Sequence, residues 1–207
     1  TPRPHPSWQP SGSQDARLKQ IADHVSHRYK LPSGTDLAIA LVSPPQVTSP
    51  GEAGSPAMSV PVSAIAIRPD TSRGLAEENE IDIVRAGSSL FFILCGLGQN
   101  CSVSEGDASE ARHALLRREA LELSLYTFKY VDGIDTVTVF LPPRPDGQAA
   151  PTSVFLKRGD VKDELKTPLS RTLGPTTPAI GEMSQHELAG VNRITRPRLY
   201  SYEYTQA

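Results

Sequence analysis

The sequence predicts an α+β fold: one domain in which a mostly antiparallel sheet is packed by a long central helix. Three observations predict it. First, the segment DASEARHALLRREALELSLYTFKYV (107–131) is rich in alanine, leucine, glutamate and arginine and carries a wide apolar face, as a helix buried against a sheet requires. Second, the remaining periodic segments group as helix, four strands, helix, two strands, helix, strand. That order differs from the regular strand–helix alternation of a parallel fold. Third, 207 residues with 38% hydrophobic and 21% charged residues support one lean core, while 19 prolines and 15 glycines assign much of the chain to long Pro/Gly/Ser-rich loops.

Taken in order, residues 1–13 (TPRPHPSWQPSGS) combine proline and polar residues without an apolar period and read as a semi-extended stalk, with the domain spanning 14–207. Leu18, Ile21, Val25 and Tyr29 recur at spacings of three and four, the period of an amphipathic N-terminal helix from Gln14 to Lys30 capped by Ser13. Pro32 and Gly34 end that helix, and DLAIALV (36–42) is the first strand. Residues 44–61 repeat proline, serine and glycine too often for regular structure and are expected to form a long exposed loop.

SAIAIR (63–68) resumes strand character, and Ile81–Arg85 and Leu90–Cys95 are expected to flank a turn at Ala86–Ser89. The run Leu90–Cys95 is apolar on both faces, which places it inside the sheet. In the central helix, capped by Asp107 or Ser109, the inward face runs through Leu116, Ala120, Leu123, Thr127 and Val131 and is widened by Leu121, Leu125 and Phe128. Segments 133–143 and 152–158 form a hairpin, and residues 159–169 supply a short helix ending near Pro168. Loop is expected from there to RLYSYEY (198–204), a terminal strand in which Tyr200, Tyr202 and Tyr204 share one face and form a candidate contact surface for a ligand or partner.

Candidate chemistry is sparse. Both cysteines, Cys95 and Cys101, lie in LFFILCGLGQNCSVSEG (90–106), where Gly96 and Gly98 allow the chain to fold back. A structural disulfide is expected, with a pair of buried thiols, and after it a redox or metal role, as the alternatives; the first reading implies an oxidising compartment. The spacing is similar to the Cys-x5-Arg loop of protein tyrosine phosphatases, but Cys101 stands where that loop needs arginine, so no bidentate grip on phosphate is available.

His24 and His27 sit three apart beside Asp23, yet two imidazoles do not complete a metal site, and no metal or cofactor is expected. Arg118 and Glu122, one helical turn apart, are expected to pair on a solvated face. Arg117 falls at the edge of the apolar face, placed either to snorkel or to reach Asp82 or a ligand. There is no Gly-x-Ser-x-Gly elbow, no Gly-x-Gly-x-x-Gly and no Gly-Lys-Ser/Thr phosphate loop.

These readings exclude more than they assign. A net charge of -2 argues against a nucleic-acid partner held by a basic field. No apolar run approaches the roughly 18 to 20 residues of a membrane span, so contact with a membrane is expected only through an anchor upstream of Thr1. The sequence-based expectation is a non-enzymatic extracytoplasmic domain on a proline-rich stalk, acting in binding or assembly with protein partners or subunits. The alternative is a small-ligand domain with a pocket between the central helix and the sheet near Arg117; an enzyme of unrecognised type comes third.

Overall fold

A computed structural model of the chain describes residues 8–42, 46–49, 58–61, 64–69, 82–85, 88–144 and 152–203, with backbone alone for 46–85 and 201–203. The first helix, α1 (Gln14–Ser26), starts where Ser13 caps it by accepting from the Ala16 N–H at 3.3 Å. It stops four residues earlier than its apolar period suggests. Tyr29 and Leu31 leave the helix but stay buried in the core, so the period is maintained by packing after the helical hydrogen bonds have ended.

The strands are β1 (Ile39–Val42), β2 (Gln46–Ser49), β3 (Met58–Pro61), β4 (Ala64–Pro69), β5 (Asp82–Arg85), β6 (Ser89–Cys95), β7 (Thr136–Phe140), β8 (Thr152–Lys157) and β9 (Leu199–Glu203). Seven of them form one sheet in the order β1-β6-β7-β8-β9-β4-β5, while β2 and β3 pair separately. Every neighbouring pair is antiparallel except β6 with β7. That parallel pair is joined through the central helix α2 (Glu110–Tyr130), a crossover long enough to return the chain to the starting end of the sheet. The expected α+β fold, with its mostly antiparallel sheet, N-terminal helix and central helix, is therefore what the chain adopts.

Three expectations are corrected. β5 and β6 are not hairpin partners: β5 pairs with β4 at one end of the sheet, and β6 lies between β1 and β7 near the other. Within 44–61, β2 and β3 form an antiparallel ribbon with Val47 opposite Val60, where a loop was expected. Short alternating stretches at Gln46–Ser49 and Met58–Pro61 satisfy each other's backbone groups despite the flanking prolines. Finally, the supposed loop after Pro168 contains α4 (Leu169–Thr172) and α5 (Gln185–Thr195). The expected polar connection at 71–80, most of the 144–151 loop and Tyr204 lie outside the described residues.

Packing follows from strand register. Phe92, Val139, Val154 and Leu199 stand side by side across four strands and belong to the core shared with the helices. To the same core α2 contributes Leu115, Leu121, Leu123, Leu125 and Phe128, all buried. Fifteen of its residues are buried, because α1 and α5 flank it and the segment after α3 (Lys162–Leu165) covers part of its outer side. The opposite sheet face carries Phe91 stacked on Phe140 at 6.3 Å, and Phe155 meeting Tyr200 edge-on at 5.8 Å.

Candidate functional site

Burial of α2 changes the role of its charges. Arg118 and Glu122 pair as expected, Nη1 to Oε2 at 3.2 Å, but both are buried and the face is not solvated. Arg118 joins four segments: Nη1 also donates to the Tyr29 hydroxyl at 2.5 Å, Nε to Glu187 of α5 at 2.7 Å, and Nη2 to the Gly174 carbonyl at 3.0 Å. Tyr29 in turn donates to Glu122 Oε2 at 2.5 Å, and Arg28 Nη1 holds Glu122 Oε1 at 2.7 Å. Burial, then the Glu122 charge, push the Tyr29 phenol well above its ordinary range, so it stays a protonated donor. One turn before Glu122, Glu119 is fully buried, and neither of its carboxyl oxygens has a hydrogen-bond partner among the described residues.

Above this network lies a cleft of about 510 Å³, within the size range of small-molecule sites. Its floor includes Arg28 and Glu122, and its walls come from α1, α2, Pro168–Pro175 and the arm preceding α1. Aromatic rings line one side in sequence. Trp8 stacks flat on His24, with centroids 3.8 Å apart and an interplanar angle of 3°, and meets Tyr126 edge-on at 5.4 Å. Tyr126 and Tyr130, one turn apart on α2, stack at 6.0 Å. Leu125, Leu169 and Leu173 add apolar wall beside Gln9 and Ser170, with Lys129 at the rim. Partial burial, then Arg28, lower the His24 pKa and keep its ring neutral near pH 7.

Trp8 thus docks on α1 and α2, and Ser11 exchanges hydrogen bonds with the Gln20 side chain at 2.9 and 3.1 Å. The arm from Trp8 onward packs on the domain, in contrast to the stalk expected for residues 1–13; residues 1–7 lie outside the described set.

His24 and His27 do not converge. The first is stacked on Trp8, whereas His27 Nδ1 lies 2.9 Å from Asp36. Among the described residues no group of three or more metal-ligating side chains comes together.

Arg117 is fully buried and therefore does not snorkel. It donates to Asn192 at 2.7 Å and Thr195 at 3.0 Å on α5, and to Glu110 at 3.2 Å. Glu110 and Asn192 border a second cleft, of about 260 Å³, between α2 and α5. Both clefts open between helices. Buried apolar side chains of α2 and of the sheet share one core cluster.

Cys95 and Cys101 form a disulfide across a sequence separation of 6. Gly96 is required beside it, since a Cβ there would sit 2.1 Å from the Ser102 carbonyl oxygen. Gly96 and Gly98 donate to the Cys101 and Ser102 carbonyls, both at 2.8 Å, closing the loop at the end of β6. Tyr200 is half-buried against Phe155, and Tyr202 is placed only by its backbone register opposite Ile67. No helix among the described residues is long and apolar enough to cross a membrane.

The chain matches no protein-family model, no curated protein and no solved structure. Its candidate site therefore rests on geometry. Sequence reasoning passed over Trp8, Tyr126 and Tyr130: the first lies in a proline-rich segment, and the tyrosines sit where an inward apolar face draws attention to leucines. The i, i+4 spacing of the tyrosines near the end of α2 was the available signal.

Proposed function

We propose that this chain is a non-catalytic, extracytoplasmic binding domain whose small ligand occupies the cleft between α1 and α2. The observation that carries this reading is the aromatic strip Trp8–Tyr126–Tyr130, which leaves apolar rings facing a cleft of ligand size. A binding role is favoured over catalysis by the state of the ionisable groups there. Glu122 is taken up by Arg28, Tyr29 and Arg118, and the His24 ring is occupied in stacking. The extracytoplasmic assignment is supported by the Cys95–Cys101 disulfide, since cytosolic thiols are ordinarily kept reduced.

Trp8 is the sole tryptophan, so its indole N–H gives one nuclear magnetic resonance signal that reports on the cleft. A fragment screen should yield compounds that shift this signal together with those of Tyr126 and Tyr130. Hits that bind while leaving all three unmoved would refute the reading.

Assembly with a second subunit has its own supporting observation. Leu41 and Val42, 46% and 38% exposed, stand on the edge strand β1, and edge strands with exposed apolar residues invite pairing. A concentration-dependent dimer dissociated by Leu41→Lys would support it, whereas a monomer at all concentrations would remove it.

A further inference from the structure

Building on the reading of the α1–α2 cleft as a binding site, we infer that its ligand is a small aromatic carboxylate, stacked on the tyrosines and held by Lys129. The charges that line the cleft decide the sign. Glu122 is its acid, and both oxygens are engaged: Oε1 by Arg28, Oε2 by Tyr29 and Arg118. Glu122 therefore offers nothing further to a cationic ligand. Arg28 is committed to Glu122 and, through Nη2 at 2.9 Å, to the Pro175 carbonyl.

Lys129 is differently placed. Its side chain is exposed at the rim, and its one hydrogen bond among the described residues is a long contact of 3.5 Å to the Thr167 carbonyl. It lies in the last turn of α2. Arg28, Glu122 and Lys129 together leave one positive charge, and the group free to make a new ion pair is Lys129.

The walls decide the shape. Tyr126 and Tyr130 are within 25° of parallel, and Trp8 closes the strip at 76° to Tyr126, so a flat ring finds both stacked and edge-on partners. Leu125, Leu169 and Leu173 supply apolar contact without hydrogen-bonding groups. Gln9, Ser170 and the tyrosine hydroxyls also line the cleft, so an oligosaccharide is carried as a competing probe in the test. A planar apolar body with one anionic end meets the rings and the lysine at once.

The test uses the intact, disulfide-bonded chain and four probes: 3-phenylpropionate, its neutral amide, phenyltrimethylammonium and a cello-oligosaccharide. Binding is measured by calorimetry and located by the Trp8 indole signal. The expected result is carboxylate binding about 10-fold tighter than the amide at low salt, a margin typical of one charge-assisted contact. Lys129→Gln should abolish that margin while leaving the melting temperature unchanged, because Lys129 is exposed; Tyr126→Leu should weaken both probes. An amide, cation or oligosaccharide that shifts the Trp8 signal and binds as tightly as the carboxylate overturns the ligand class but leaves the cleft as a binding site. If no probe moves the Trp8 signal at millimolar concentration, the ligand class fails; whether the binding reading fails with it is decided by the fragment screen.

Discussion

Replacing Glu119 by glutamine is expected to change how stability depends on pH. Glu119 is fully buried and neither oxygen is hydrogen-bonded among the described residues; burial first, and the charge of Glu122 second, raise its pKa well above the usual carboxylate range. An acid whose folded pKa is raised binds a proton in the fold that it has released in the unfolded chain. Its stabilising contribution is complete below the unfolded pKa of about 4.3 and is lost as pH rises through the window up to the raised folded value. Within that window the wild type loses about 1.4 kcal/mol per pH unit from this group.

The E119Q protein has no such proton. Whatever glutamine costs or contributes at low pH, the stability difference should move in favour of E119Q by about 1.4 kcal/mol over one pH unit inside that window. With a urea slope of roughly 1 to 3 kcal/mol per M, the gap between the two midpoints should change by about 0.5 to 1.4 M over that interval. The assay is urea unfolding followed by far-ultraviolet circular dichroism, with the disulfide kept oxidised. A gap that stays constant with pH would refute the reasoning, because it would mean that the carboxyl is ionised in the folded protein and reaches solvent or a partner.

Reduction of Cys95–Cys101 should lower stability by about 2 kcal/mol and leave the dichroism spectrum intact, since the bridge closes a short loop at the end of β6; free thiols in the denatured, unreduced protein would contradict the bridge. Leu123→Ala and Phe128→Ala should each cost about 2 to 5 kcal/mol in denaturant unfolding, both side chains being buried in the core, and a loss below about 1 kcal/mol at both would put the wrong face of α2 inward. Deleting residues 1–13 should lower the melting temperature measurably, because it removes the Trp8 stack on His24 and the Ser13 cap together; an unchanged value would restore the stalk reading.

Local chemistry determined a good part of this protein. Ser13 and Ser109 announce the starts of α1 and α2, and both accept from the backbone three residues on, because a cap is decided within one turn of chain. The leucines of α2 are buried as their spacing implies, and beside the Cys95–Cys101 bridge Gly96 and Gly98, lacking a Cβ, let the Ser102 backbone come close while Asn100 and Cys101 make the turn at positive φ. α5 was also legible and was missed: Ser184 caps it three residues before Glu187, and Leu188, Val191 and Ile194 follow at helical spacing.

Other features belong to the tertiary structure alone. Strand partners are chosen across long stretches of chain, so Ile81–Arg85 and Leu90–Cys95 look like a hairpin in sequence although β5 and β6 end up far apart in the sheet. The environment of a charge depends on what packs against its helix. Arg118 and Glu122 read as a solvated pair until Tyr29 beyond the end of α1, Glu187 of α5 and the Gly174 segment close over them. The cleft has the same origin: Trp8, His24 and Tyr126 come from an arm and two helices, and no spacing within one element reports a contact made between three. Sequence alone determined the elements whose stability comes from neighbouring residues. Only the fold decided which faces were left to bind, because burial is a property of the assembled surface and not of any one segment.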